Sequence, residues 1–300
     1  MINITLRQLR YFEALARHGH FGIAAKSCSI SQPALSVQIK ELETTLGSIL
    51  FERGSRQVRL TSLGEEFLGR VGGILRSVEE LSDLGRAAQN QLVGQLRIGI
   101  IPTIAPYLLP AILADLTKLY ASIDIHIRET MTFTLLEELA AGKIDMAIVA
   151  LPVSESSLTE IPLFEENFVL VRPLADAKKP VPDRNMLQEM RLLLLEEGHC
   201  FRDQALSFCN IEPSLPRGTL DGTTLSTLVQ MVGAGIGVTL IPEMAVNIET
   251  RSAEVSIAHF KEPEPFRTVG MIWRSTSPLA KQFLQVSEVV RKSAQHMRKT

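Results

Sequence analysis

The chain has 300 residues, 45% apolar and 21% charged, with a formal net charge of -2, so wholesale disorder is excluded and the total charge gives no support to nucleic-acid binding. Three cysteines exclude a disulfide framework. The opening MINITLRQLRYFEALARHG has neither a long apolar core nor a small-residue cleavage site, and no stretch approaches about 18 charge-free apolar residues, so the expectation is a cytoplasmic protein with no membrane partner.

The first 60 residues are dense in helix signals. LRQLRYFEALAR sets Leu6, Leu9, Phe12 and Leu15 at helical spacing, and FGIAAKSCS reads as a short second helix. ISQPALSVQIKELETTLG is a third. Ser31 is its candidate N-cap, Pro33 sits in its first turn, Leu35, Ile39, Leu42 and Leu46 line its apolar side, and Gly47 ends it. LFERGSRQVRL reads as two short strands around a turn at Gly54. Eight cations (Arg7, Arg10, Arg17, Lys26, Lys40, Arg53, Arg56, Arg59) face four acids (Glu13, Glu41, Glu43, Glu52), giving a local +4 that leaves -6 for the remainder. Three helices and a basic hairpin predict a winged helix-turn-helix over residues 1–61, with the third helix entering the major groove. Its leading residues Ser31, Gln32, Pro33, Ser36 and Gln38 are the candidate base and phosphate contacts, although Ser31 as a plain cap explains it equally well. Arg53, Arg56 and Arg59 suit backbone or minor-groove contact. Cys28 reads as packing.

Residues 62–93 continue as one long helix. Phe67, Val71, Ile74, Leu75, Val78, Leu81 and Leu84 recur at threes and fours, a stripe that a lone helix leaves uncovered. The same helix of a second subunit is the expected cover.

From Gly94 strands and helices alternate: QLRIGIIP, YLLPAILADLTKLY, SIDIHIRE, TLLEELAAGKI, DMAIVAL. A second unit opens at FEENFVLVRP, and the chain closes with the strand RTVGMIWR and a terminal helix. The alternation predicts a mostly parallel α/β sheet in two subdomains, 94–165 with 268–300 and 166–267, around a ligand-sized cleft.

LLLLEEGHCFRDQALSFC holds Cys200 and Cys209. No C-x-x-C zinc spacing is present, and His199 adjoins Cys200 with no orienting acid marked out, which weakens metal binding and cysteine hydrolysis. The residues alone leave packing and redox chemistry open.

FEALARHGHFGIAAKSCSISQPALSVQIKELETTLGSILFERGSRQVRLTSLGEEFL resembles the LysR-type transcriptional regulators almost continuously, and the resemblance extends to the end of the chain. It implies a winged helix-turn-helix, a long linker helix, and an α/β regulatory domain of two periplasmic-binding-protein-like subdomains. IPTIAPYLLP, LLLLEEGHCFRDQALSFC, GAGIGVTLIPEMAV and PEPFRTVG look most like the peroxide-sensing members. That likeness implies Cys200 as the peroxidatic cysteine and Cys209 as the resolving one. It also implies a peroxide pocket near Thr103, Thr132, His199, Asp203 and Arg267. Phe201 departs from the leucine that the likeness leads one to expect. The implied partners are double-stranded promoter DNA, hydrogen peroxide as signal, RNA polymerase, and further copies of the chain, as a homodimer through the linker helix and a homotetramer. No cofactor, metal or enzymatic turnover is implied. The rival readings are a LysR-type regulator triggered by a small organic ligand in the cleft, a periplasmic-type binding module and a thiol peroxidase.

A helix start after Gly198 favours a thiolate at Cys200, and His199 and Arg202 are nearby in sequence. If residues 200–209 are helical, the two Cα atoms lie roughly 13 Å apart. A disulfide needs about 4.4–6.8 Å, so closing one requires local refolding.

Overall fold

A computed structural model describes residues 4–53, 58–88, 92–209 and 221–297. They form two units, Met1–Gly85 and Arg86–Thr300.

In the first unit, α1 (Leu6–His18) starts at a capping box. Thr5 Oγ1 accepts from the Gln8 N–H, Gln8 Oε1 accepts from the Thr5 N–H, and left-handed Gly19 closes the helix. α2 (Phe21–Ser27) and α3 (Gln32–Leu46) follow, then β1 (Phe51–Arg53) paired antiparallel with β2 (Val58–Leu60), then α4 (Ser62–Ala88). The turn predicted at Gly54 lies outside the described residues, as does the candidate contact Arg56. Phe12 anchors the core, its ring 5.1 Å from Phe67 and 5.2 Å from Phe51, among Leu9, Leu15, Leu35, Ile39 and Leu42. Leu6, expected on that face, is exposed instead.

A buried acid, Glu43, joins α3 to β1. Its Oε1 accepts from the N–H groups of Leu50 (2.9 Å) and Phe51 (3.2 Å). The stripe predicted along α4 divides into two. Phe67, Val71 and Leu75, spaced by fours, pack on the core, whereas Ile74, Leu81 and Leu84 are exposed. Residues on neighbouring helical rows point in different directions, so one apolar run serves two surfaces.

The second unit runs β3 (Gly94–Ile100), α5 (Ala105–Leu119), β4 (Ile123–Glu129), α6 (Thr132–Ala140), β5 (Met146–Leu151) and β6 (Leu158–Pro173). Then come α7 (Arg184–Glu189), β7 (Leu194–Leu195), α8 (Cys200–Phe208), β8 (Asp221–Gly222), α9 (Leu225–Gly233), β9 (Thr239–Pro242), α10 (Val246–Glu249), β10 (Val255–Ala258), β11 (Phe266–Arg274) and α11 (Ala280–Met297). The main sheet has seven strands in the order β10-β6-β11-β5-β3-β4, with β9 also on β6. The expectation of a mostly parallel sheet needs correcting. Only β3–β4 and β3–β5 are parallel, while β5–β11, β11–β6, β6–β9 and β6–β10 are antiparallel. Two long strands, β6 and β11, run side by side between the lobes, and their antiparallel pairing replaces the parallel one that the strand–helix alternation suggested.

β6 serves both lobes. Leu163 belongs to one core with Trp273 and Phe283, whereas Phe168 to Val171 belong to another with Leu206, Val229 and Ile241. The predicted strand RLLLLEE reduces to the short β7 and a single bridge from Leu192 to Val238.

Candidate functional site

At the front of α3, Ser31 caps the helix, its Oγ accepting from the Ala34 N–H at 3.3 Å. Ser31, Gln32 and Pro33 are exposed and leave the leading turn open; Ser36 and Gln38 are half-buried, and Gln38 Nε2 donates to Glu41 Oε2 at 2.7 Å. Arg59 is exposed on β2, while Arg56 and the side chain of Arg53 lie outside the described residues. Cys28 is half-buried at the end of α2.

Cys200 is the first residue of α8, and Cys209 its C-cap. The turn before it is tight. Gly198 adopts φ +95°, and a Cβ there would lie 2.7 Å from Met131 Sδ, so the position favours glycine on both counts. His199 follows as the N-cap residue, buried and without a side-chain capping bond. Burial holds the His199 imidazole below its ordinary pKa, against an opposing pull from Glu196.

Cys200 lines a small cavity of about 10 Å³ together with Thr103, Met131, Thr132, Gly198 and His199. Thr132 Oγ1 is buried there without a hydrogen-bond partner. Thr103 is held from behind. Arg267 Nη1 donates to Thr103 Oγ1 at 2.8 Å and Nη2 donates to the Thr103 carbonyl at 2.9 Å. Arg267 is itself only 2% exposed, and its Nε donates to Glu166 Oε2 at 2.8 Å. Glu166 Oε1 accepts the Met244 N–H at 3.1 Å, so the pair satisfies its charges internally. The Arg267 guanidinium also lies 5.6 Å from the Phe201 ring, which packs edge-on against Phe168 at 4.8 Å.

The structure therefore brings Thr103, Thr132, His199 and Cys200 around one space, with Arg267 behind Thr103. Asp203 is not among the lining residues, because its side chain is exposed one turn further along α8. Arg202 is engaged by other partners. Its Nη1 donates to the Leu195 carbonyl at 2.7 Å and to Asp221 Oδ1 at 2.9 Å, tying α8 to β7 and β8. Cys209 is fully buried in the second core, and burial raises its thiol pKa to about 11, with Arg184 opposing. Its carbonyl accepts from Gln188 Nε2 at 3.0 Å. Sequence reasoning missed Glu166 and Met131. Two acids in the apolar run FEENFVLV were the available signal for a buried ion pair; nothing marked Met131.

Among the described residues, no cluster of three His, Cys, Asp or Glu side chains could hold a metal, and no helix is long and apolar enough to cross a membrane.

Residues 6–65 match the family described as "Bacterial regulatory helix-turn-helix protein, lysR family", and residues 89–295 match "LysR substrate binding domain". The chain is 40% identical to the "DNA-binding transcriptional dual regulator OxyR" of Escherichia coli over 293 residues, covering 96% of this chain and 95% of that protein. A full-length OxyR variant from Pseudomonas aeruginosa superposes with a TM-score of 0.78 at 36% identity, covering 96% of this chain and 95% of that one. A hydrogen peroxide-bound OxyR mutant of Corynebacterium glutamicum gives a TM-score of 0.68 at 36% identity, covering 98% and 94%. With a matching DNA-binding module, a matching regulatory domain and close similarity to OxyR over nearly its whole length, the chain belongs to the LysR family of bacterial transcriptional regulators.

Proposed function

We propose that this regulator senses hydrogen peroxide at Cys200 and converts the signal into a reversible Cys200–Cys209 disulfide that alters its hold on promoter DNA. The observation that carries the reading is the position of Cys200. It stands at the N-terminus of α8, facing a small space that contains an unpartnered threonine hydroxyl, and its only companion cysteine in the same unit closes the same helix.

The Cys200 thiolate attacks one peroxide oxygen, the O–O bond breaks, and hydroxide leaves and takes up a proton. Cys200 becomes a sulfenic acid. Thr103, Thr132 and neutral His199 supply the polar groups that orient the two oxygens, and Arg267 acts through Thr103 as a positioning residue. The Cys209 thiol then condenses with the sulfenic acid, releasing water and forming the disulfide. Two Cα atoms roughly 13 Å apart along a helix cannot be bridged at about 4.4–6.8 Å, so α8 unwinds as the bond forms. A chemical event thus drives a two-state element.

In this reading residues 1–61 read DNA through Ser31, Gln32, Pro33, Ser36 and Gln38, with Arg53, Arg56 and Arg59 on the phosphates. Residues 62–93 join two subunits through α4, and residues 94–300 sense, as subdomains 94–165 with 268–300 and 166–267. A tetramer built as a dimer of dimers engages RNA polymerase at the promoter.

Thiol counting tests the chemistry. Stoichiometric peroxide should remove two thiols, and peptide mass spectrometry should find positions 200 and 209 crosslinked. Neither Cys200→Ser nor Cys209→Ser should form that crosslink. An uncrosslinked product in gently oxidised wild-type protein would remove the sensor reading and leave a DNA-binding regulator with another trigger.

A further inference from the structure

The space beside Cys200 has one wall that no cysteine motif supplies. Met131 immediately precedes α6, and its thioether packs on the turn that carries Cys200, close enough for Sδ to lie 2.7 Å from a Cβ built at Gly198. It is half-buried and lines the same space as Thr103, Thr132 and Cys200. Two other walls are tied to their surroundings. Arg267 holds Thr103 by two hydrogen bonds, and Phe201 is locked against Phe168. Met131 makes no side-chain capping bond to α6, so its unbranched arm is held by packing alone.

We propose that Met131 sets the selectivity of the site for hydrogen peroxide over alkyl hydroperoxides. The proposal rests on the reading of Cys200 as the peroxide-reactive thiol. In the oxidation step the Cys200 thiolate bonds to one oxygen of R–O–O–H, and the O–O bond breaks. Sulfur keeps the OH as a sulfenic acid, and RO⁻ leaves and takes a proton from water. When R is hydrogen, the substrate is little larger than water. When R is alkyl, the same in-line geometry needs room for carbon beside a cavity of only about 10 Å³, roughly the space of one water. The Cγ–Sδ–Cε arm of Met131 fills part of the room that such a group would need.

The test uses the reduced full-length protein and follows Cys200 sulfenic acid by chemical trapping and peptide mass. Rates are measured with hydrogen peroxide and with tert-butyl hydroperoxide for wild type, Met131→Ala and Met131→Leu. The expected result is a rise of about tenfold in the tert-butyl to hydrogen peroxide rate ratio for Met131→Ala, the scale on which small volume changes in a pocket alter discrimination. Met131→Leu, which refills the space, keeps the wild-type ratio. A ratio in Met131→Ala within about twofold of wild type, with wild type reacting readily with hydrogen peroxide, overturns the role of Met131 and leaves the sensor reading intact. Failure of wild-type Cys200 to react with hydrogen peroxide overturns both.

Discussion

Cys200 and Cys209 bound the same nine-residue helix yet lean on different cores. Cys200 packs against the cluster around Trp273, whereas Cys209 is buried in the cluster around Phe168. Any bond between them must pull one sulfur out of its surroundings. Phe201 is locked between Phe168 and Arg267 beside Cys200. At the far end, Phe208 packs edge-on against Phe260 at 5.1 Å, with the Arg184 guanidinium over the Phe208 ring. Both ends of α8 are therefore held by packing that oxidation has to overcome.

The Arg202–Asp221 pair clips the first turn of that helix to β8. Asp221→Asn should leave the first step, loss of the Cys200 thiol, unchanged. It should speed the second step, disulfide closure, by about 2–5-fold, the range expected for one partly exposed ion pair. Stopped-flow mixing with peroxide, followed by acid quench and mass analysis, separates the two steps. Equal acceleration of both, or of neither, would count against unwinding as the slow event.

Cys209 should be a poor nucleophile while the helix is intact. Its pKa is raised to about 11 by burial, so little thiolate exists near neutrality. Iodoacetamide should label Cys200 well before Cys209, with Cys209 labelling still climbing above pH 9. The folded state holds this proton more tightly than the unfolded chain does. The associated stability is full below the ordinary thiol pKa of 9.0 and is lost as pH rises towards about 11. Urea melts of wild type and Cys209→Ser at pH 8 and pH 10.5 check the sign, since the mutant should lose less stability across that interval.

Glu43 should matter more to the DNA-binding unit than its place in a charged helix suggests. Replacing it with alanine leaves the Leu50 and Phe51 N–H groups buried and unpaired. A loss of about 2 kcal/mol is expected, on the scale of hydrogen bonds to a charged group. Thermal melting of the full chain measures it. DNA affinity should fall with it, because β1 loses its tie to α3.

Leu81 is 66% exposed on α4, in line with Ile74 and Leu84. An uncovered apolar row on a long helix is a surface for another helix. Leu81→Glu should lower the mass of the protein in solution, read by light scattering, and should weaken DNA binding through the loss of paired reading heads. An unchanged mass would place the subunit contact elsewhere.

Much of the fold was legible in the sequence. The three short helices, the basic hairpin and the long helix each carried local signals, namely a cap at Ser31, a left-handed Gly47 and apolar spacing of three and four. The strand–helix alternation was legible too, but strand direction was not. β6 and β11 pair antiparallel across residues about a hundred positions apart, and no local pattern encodes that register. The cysteine motif pointed to Cys200, and spacing placed Cys209 on the same helix. Asp203 looked as near to Cys200 as Thr132 did, yet α8 turns Asp203 outward while α6 delivers Thr132 into the space.

Local sequence signals were enough for the helices of the first unit, most of the long strands and helices of the second, and a helix between the two thiols, because capping and periodicity act within a few residues. Only the tertiary structure decided which groups surround Cys200. Met131 and Thr103 reach it from distant segments, with the Arg267–Glu166 pair behind Thr103, and packing sets whether a hydroxyl or a thioether lines the space beside the sulfur. Long-range packing decides such neighbours, since desolvation depends on every element that closes over the site.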